Sequence, residues 1–149
     1  MAGEYCELTD LCAKVYLSTN DLHSNYWLYY GFRKDYSMAN QLQLAIAKRG
    51  DYEWNQWRVE NPDAEIDLSG ADLRHAKLSD VNLSEADLSD ASLNRVNLKR
   101  AKLINVDLPG ANLISADLSR AGLSGADLTD VQIWEANLTN ANLTDASLV

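Results

Sequence analysis

The sequence predicts a β-solenoid behind a helical N-terminal region, and three observations predict it. From Ile66 to Val149 the chain repeats every five residues without insertion or deletion: I-D-L-S-G, A-D-L-R-H, A-K-L-S-D, and onward to A-N-L-T-D, A-S-L-V. Seventeen successive repeat centres, from Leu68 and Leu73 to Leu148, are Leu except for Ile133. All aromatic residues but Trp134 fall in residues 1–65. A short period that never slips marks stacked units, each burying its apolar side only against its neighbours. The aromatic-rich first part is a different kind of structure. The expected division is therefore residues 1–65 and residues 66–149.

The pattern A-[DN]-L-x-x resembles that of the pentapeptide-repeat family, over 84 of 149 residues. The resemblance implies a right-handed quadrilateral β-helix with twenty residues per coil, hence about four coils here. It also implies that each central Leu and the small residue two before it point inward, and the other three positions outward. The composition agrees, since Ala71, Ala76, Ala86, Ala91, Ala101 and their successors are Ala or Val, as a narrow interior demands. The fifth position turns the corner. Gly, Asn or Asp there, as at Gly70, Asp80, Asp90 and Asn105, tolerates the positive φ of a type II turn. His75, Glu85, Arg95, Arg100, Ser115, Arg120 and Glu135 tolerate it less well, so mixed turn types are expected.

Before the repeats, Leu8, Leu11, Cys12 and Val15 follow the spacing of one helical face, and Leu22, Tyr26, Tyr29 and Tyr30 nearly do so before Gly31. A third helix is expected from Ser37 as N-cap through Leu42, Ala45 and Ile46 to Gly50, and a fourth from Asp51 to Asn61-Pro62. An uncovered first coil would expose apolar centres, so these helices read as an N-terminal α-helical cap, with Trp54 and Trp57 placed over the opening. The run W-N-Q-W-R-V-E-N-P-D resembles the lead-in of cyanobacterial members of the family. The cluster Tyr26, Trp27, Tyr29, Tyr30 and Phe32 reads as a small aromatic core, with a partner site or a dimer contact as the alternative. At the far end Ile133, Leu138, Leu143 and Leu148 lie at an open edge. The expectation there is either a weak homodimer or a monomer with Trp134 and Val149 folded over the opening.

Composition narrows the function. The net charge is −9, which opposes direct binding to nucleic-acid phosphates and favours basic protein partners. No basic segment followed by an apolar one opens the chain, and no window nears the ~18 apolar residues of a membrane span, so a soluble cytoplasmic protein without membrane attachment is expected. Cys6 and Cys12 stand without a second pair or a nearby His, giving neither a disulfide framework nor a zinc site. With only His23 and His75, no Gly-rich phosphate loop and no nucleophile constellation, no enzyme and no cofactor are expected.

Under the implied coil, residues twenty apart share a face. The face centred on Leu68, Leu88, Leu108 and Leu128 carries Asp67, Asp87, Asp107 and Asp127 in one column, Asp90 and Asp130 in another, and no positive charge. The opposite face sets Lys77, Lys99, Arg100 and Arg120 against Asp80 and Asp117. A row of carboxylates on a flat wall does not surround an ion as Ca²⁺ requires, so the acidic face reads as solvated or as a recognition face for a basic partner. A third face places Ile114 and Trp134 in one outward column, a contact anchor unless the indole lies flat over its neighbours. Asp67, Asp87, Asp107, Asp127, Asp90, Asp130, Ile114 and Trp134 are the candidate partner-binding residues. The leading expectation is a non-catalytic scaffold for an unknown protein partner. Two alternatives rest on what family members do: a DNA mimic acting on DNA gyrase, which a partly basic and short prism fits poorly, and a regulator of cyanobacterial cell differentiation.

Overall fold

The computed structural model describes residues 39–148, so the helical faces expected at residues 8–15 and 22–30, with the aromatic cluster and both cysteines, lie outside the described residues. Helix α1, Gln41–Ala47, is capped by Asn40, whose side-chain oxygen accepts the N–H groups of Leu42 and Gln43 at 3.1 and 3.2 Å. Those are two of the donors that a first turn leaves open. The cap stands three residues later than the expected Ser37. Its backbone explains why: the Asn40 N–H donates to the Asp67 carbonyl at 2.7 Å, which holds Asn40 itself against the solenoid outside the helix. Gly50, at φ 120°, separates α1 from helix α2, Asp51–Glu60, which ends at Asn61 ahead of Pro62 as expected.

From Ile66 the backbone winds with twenty residues per coil. Strand β1, Ile66–Asp67, pairs in parallel with β2, Ala86–Asp87, and single parallel bridges at the same spacing run from Asp72–Ser92 to Asp127–Ser147. Four turns per coil make it four-sided. Three of the five N–H groups in a repeat bond to neighbouring coils, as when Leu88 donates to Asp107, Asp90 to Pro109 and Asp107 to Ala86. A fourth closes the turn, as Ala91 to Leu88 does at 3.1 Å. Along the interior every inward side chain from Ile66 to Leu128 is buried except the half-buried Ala76.

The expected mixture of turn types is not found. Every corner from Gly70 to Asp145 has positive φ, including His75 at 61°, Arg95 at 57° and Glu135 at 60°. The ladder overrides residue preference. Each corner N–H from Gly70 to Gly125, such as those of His75, Arg95 and Arg120 at 3.0, 3.0 and 2.9 Å, reaches the carbonyl of the coil above, and the corners from Asp130 to Asp145 keep the same geometry as the preceding carbonyl accepts from the coil below.

At the first coil α1 and α2 take the place of a missing layer. Trp54 is wholly buried and its indole N–H donates to the Asn82 carbonyl at 2.7 Å, with Trp57 tilted beside it at 5.4 Å between ring centroids. Two side-chain amides imitate peptide groups. Gln43 accepts the Asp67 N–H at 2.9 Å while donating to the Glu65 carbonyl at 2.8 Å. Asn55 accepts the Asn82 N–H at 2.9 Å and donates to the Asp80 carbonyl at 3.0 Å.

Candidate interaction surface

The fifth N–H of each repeat, on the residue after the central Leu, has no backbone partner in the ladder. Where the residue before that Leu is Asp or Asn, it supplies one, by bending its side-chain oxygen forward in an Asx turn. Asp67 accepts from Ser69 at 3.1 Å, Asp87 from Ser89 at 2.9 Å and Asp127 from Thr129 at 3.0 Å. Asn82, Asn97, Asn112, Asn137 and Asn142 make the same bond at 3.1 to 3.2 Å. A neutral amide thus serves the turn as well as a carboxylate. Asp107 departs from the rule, because Pro109 carries no N–H to offer it.

The bridges Asp67–Asp87, Asp87–Asp107 and Asp107–Asp127 set the four aspartates in one register, about 4.8 Å apart per rung. Beside them, the hydroxyls of Ser69, Ser89 and Thr129 donate to the same carboxylate oxygens at 2.7, 2.5 and 2.6 Å. One oxygen of each of these three carboxyls is thus held by the turn and the other is left outward. The Thr129 hydroxyl, then its N–H, hold the Asp127 carboxyl below the usual carboxylate range. At the corner, Asp90 leans over Gly110: a Cβ added there would sit 2.5 Å from its Oδ1. Asp90, Asp107 and Asp130 are exposed. The six predicted acidic residues therefore share one face and its edge.

The opposite face is less basic than its count suggests. Arg100 reaches across a coil to Asp80 with two bonds, at 2.7 and 2.6 Å, and holds that carboxyl below its ordinary range. On the third face Ile114 is half-buried and Trp134 is 75% exposed, which excludes both an indole lying flat and one folded over the last coil. A residue after a repeat centre points outward, and the Trp134 carbonyl accepts the Ser115 N–H.

One feature was not legible in the sequence. Where α2 meets the acidic face, an open groove of about 580 Å³ is lined by Arg58, Glu65, Asp67, Glu85, Asp87 and Asp107. Arg58 is tethered in it by a 3.2 Å bond to the Ala64 carbonyl. Its position depends on how a helix docks, for which no spacing in the chain is a signal. Among the described residues no group of His, Cys, Asp or Glu could hold a metal ion, and no helix is long and apolar enough to cross a membrane.

Comparison with known proteins finds the family model for pentapeptide repeats matching in eight copies, over residues 66–103, 91–130 and 121–149. Among solved structures, a pentapeptide repeat protein of Nostoc PCC 7120 is 40% identical over 52% of this chain and 64% of its own, with a TM-score of 0.51. Another, from the thylakoid lumen of Arabidopsis thaliana, is 31% identical over 71% of this chain and 59% of its own, at 0.48. HetL of Nostoc sp. strain PCC 7120, involved in regulating heterocyst differentiation, is 39% identical over 51% of this chain and 38% of its own, at 0.34. The chain thus spans less than two thirds of the length of each. None of the curated proteins matches it.

Proposed function

The chain belongs to the pentapeptide-repeat family of right-handed quadrilateral β-helices, and from that premise we propose that it is a non-catalytic interaction protein whose acidic face receives a basic region of a protein partner. One observation carries the reading. A neutral acceptor serves the turn on the other three faces, at Asn82, Asn112 and Asn137, and Lys77, Lys102 and Gly122 hold the same position with no side-chain oxygen at all. The acidic face instead carries Asp at the first four of its five positions, ahead of Ser147, including Asp107, where no turn N–H exists to be accepted. At Asp107 the charge serves no turn at all. Ranked carboxylates on a flat wall steer a cationic surface toward them over roughly a Debye length, about 8 Å at physiological salt.

The test replaces Asp67, Asp87, Asp107 and Asp127 together by Asn, which keeps the Asx bonds and removes four charges. Parent and variant, immobilised, are compared for capture of basic proteins from the native cells, and the captured protein is then titrated. The proposal expects a variant that melts close to the parent, binds the captured partner about tenfold or more weakly, and loses the parent's salt dependence. Equal binding by both would remove the acidic face from the function. A DNA supercoiling assay covers the gyrase alternative, which about four coils, or roughly 20 Å of prism, fit poorly. Potent inhibition that the Asn variant loses would put that reading first.

A further inference from the structure

Backbone strain is unevenly shared among the four corner columns. One column, Gly70, Asp90, Gly110 and Asp130, holds only residues that enter the left-handed region at low cost. Two others mix such residues with costlier ones. The fourth, His75, Arg95, Ser115 and Glu135, contains no Gly, Asn or Asp, although all four residues sit at φ between 57° and 61°. Folding alone would be served better by glycine at each. Side chains kept in a strained backbone point to a use.

Their surroundings supply one. His75, Arg95, Ser115 and Glu135 edge an open groove of about 410 Å³, with Arg74 and Ile114 on its other side. Trp134 stands one rung above Ile114 in the same outward column, the most exposed aromatic residue among those described. The charges are sorted along the groove. Arg74 is engaged by Asp72 through two bonds of 2.8 Å, and at the top the Ser115 hydroxyl donates to Glu135 at 3.0 Å. Arg95 has no ion-pair partner among the described residues.

We propose that this edge is a second docking surface, for a protein segment that sets a carboxylate against Arg95 and His75 and an apolar side chain against Ile114 and Trp134. Two rungs, about 10 Å, separate the basic and apolar ends, a span that about three extended residues cover. This partner is opposite in charge to the one the acidic face receives. The two faces are adjacent, so the prism joins an acidic segment to a basic one.

Random peptides displayed on phage, selected on the immobilised full chain, provide the probe, and a recovered peptide is then synthesised and titrated. The selected sequences are expected to share an acidic residue a few positions from an aromatic residue or Leu. Trp134→Ala and Arg95→Gly should each weaken the peptide by about tenfold or more, as truncation of an anchor does, while Asp87→Asn leaves it unchanged. Arg95→Gly also distinguishes docking from a structural role, because relief of the left-handed strain should raise its melting temperature while its affinity falls. Recovery of no peptide, recovery of basic peptides, or affinities indifferent to both substitutions would overturn the proposal. So would self-association of the parent in sedimentation that Trp134→Ala abolishes, which would give the surface to a second copy of this chain.

Discussion

The first coil and the last described coil have the same repeat and different surroundings. Leu68, Leu73, Leu78 and Leu83 are at most 1% exposed, whereas Ile133, Leu138 and Leu143 are only partly buried and Leu148 is 67% exposed. Nothing in the pentapeptides themselves makes that difference. Burial in a solenoid is supplied by the adjacent layer, and at the first coil α1 and α2 supply it with Trp54, Ile46 and two amides. A helix can therefore stand in for a coil if it brings both apolar volume and peptide-like hydrogen bonding.

The sharpest way to break this contrast is to remove the apolar volume. Trp54→Ala should cost about 3–5 kcal/mol, since it opens a cavity under the first coil and leaves the Asn82 carbonyl without its donor. Leu108→Ala, in the middle of the stack, should cost about 2–5 kcal/mol, and both neighbouring coils should feel it. Leu143→Ala in the half-buried last coil should cost clearly less. Denaturant unfolding of the three variants measures the order. A Leu143 variant as damaged as the Leu108 variant would show that layer burial is not what differs between the ends.

A smaller effect isolates the hydrogen bonding. Gln43→Met keeps the length of a side chain that is 4% exposed, but it removes both the acceptor for Asp67 N–H and the donor to the Glu65 carbonyl. A loss of about 1–3 kcal/mol is expected from stranding these groups. Asn55→Leu should lose less, because its bond to the Asp80 carbonyl is exposed and water can replace it. Hydrogen exchange at the Asp67 and Asn82 amides reports each loss separately.

These two ends also show what a sequence can and cannot disclose. The five-residue period marked stacked units, and the family it resembles implied the twenty-residue coil, the inward Leu and Ala positions and, through the coil, the acidic column. Neither revealed the uniform corners. Residue preference argued for mixed turns at His75, Glu85 and Arg95, and the ladder, which is a property of stacked coils, prevailed. The cap of α1 at Asn40 and the groove around Arg58 were hidden for the same reason, since both arise where a helix meets the solenoid. Pro109 is a signal that the sequence itself carries: a proline after a repeat centre removes the turn donor and frees Asp107.

The smallest expected effect is acid sensitivity, and it differs between coils in kind. In the first coil, Asp72 and Asp80 are held below the usual carboxylate range chiefly by hydrogen bonds from the guanidinium groups of Arg74 and Arg100. Higher up, Asp117 and Asp127 are lowered chiefly by the Ser119 and Thr129 side chains of their own turns. All four native pKa values lie below the unfolded one. Their stabilisation is therefore present above the unfolded value of about 3.9 and is lost as pH falls through the lower native values. Melting temperature should stay flat from neutral pH to about pH 5 and decline below about pH 4. Because all four carboxyls face solvent, the decline should be shallow. Salt separates the two kinds. Added salt screens the exposed Arg74–Asp72 and Arg100–Asp80 pairs, but it leaves the short-range turn bonds of Asp117 and Asp127 in place. Asp127→Asn, which keeps an acceptor for the Thr129 N–H, should therefore reduce the part of the acid decline that survives high salt. A decline that high salt abolishes entirely would assign the whole effect to the ion pairs of the first coil.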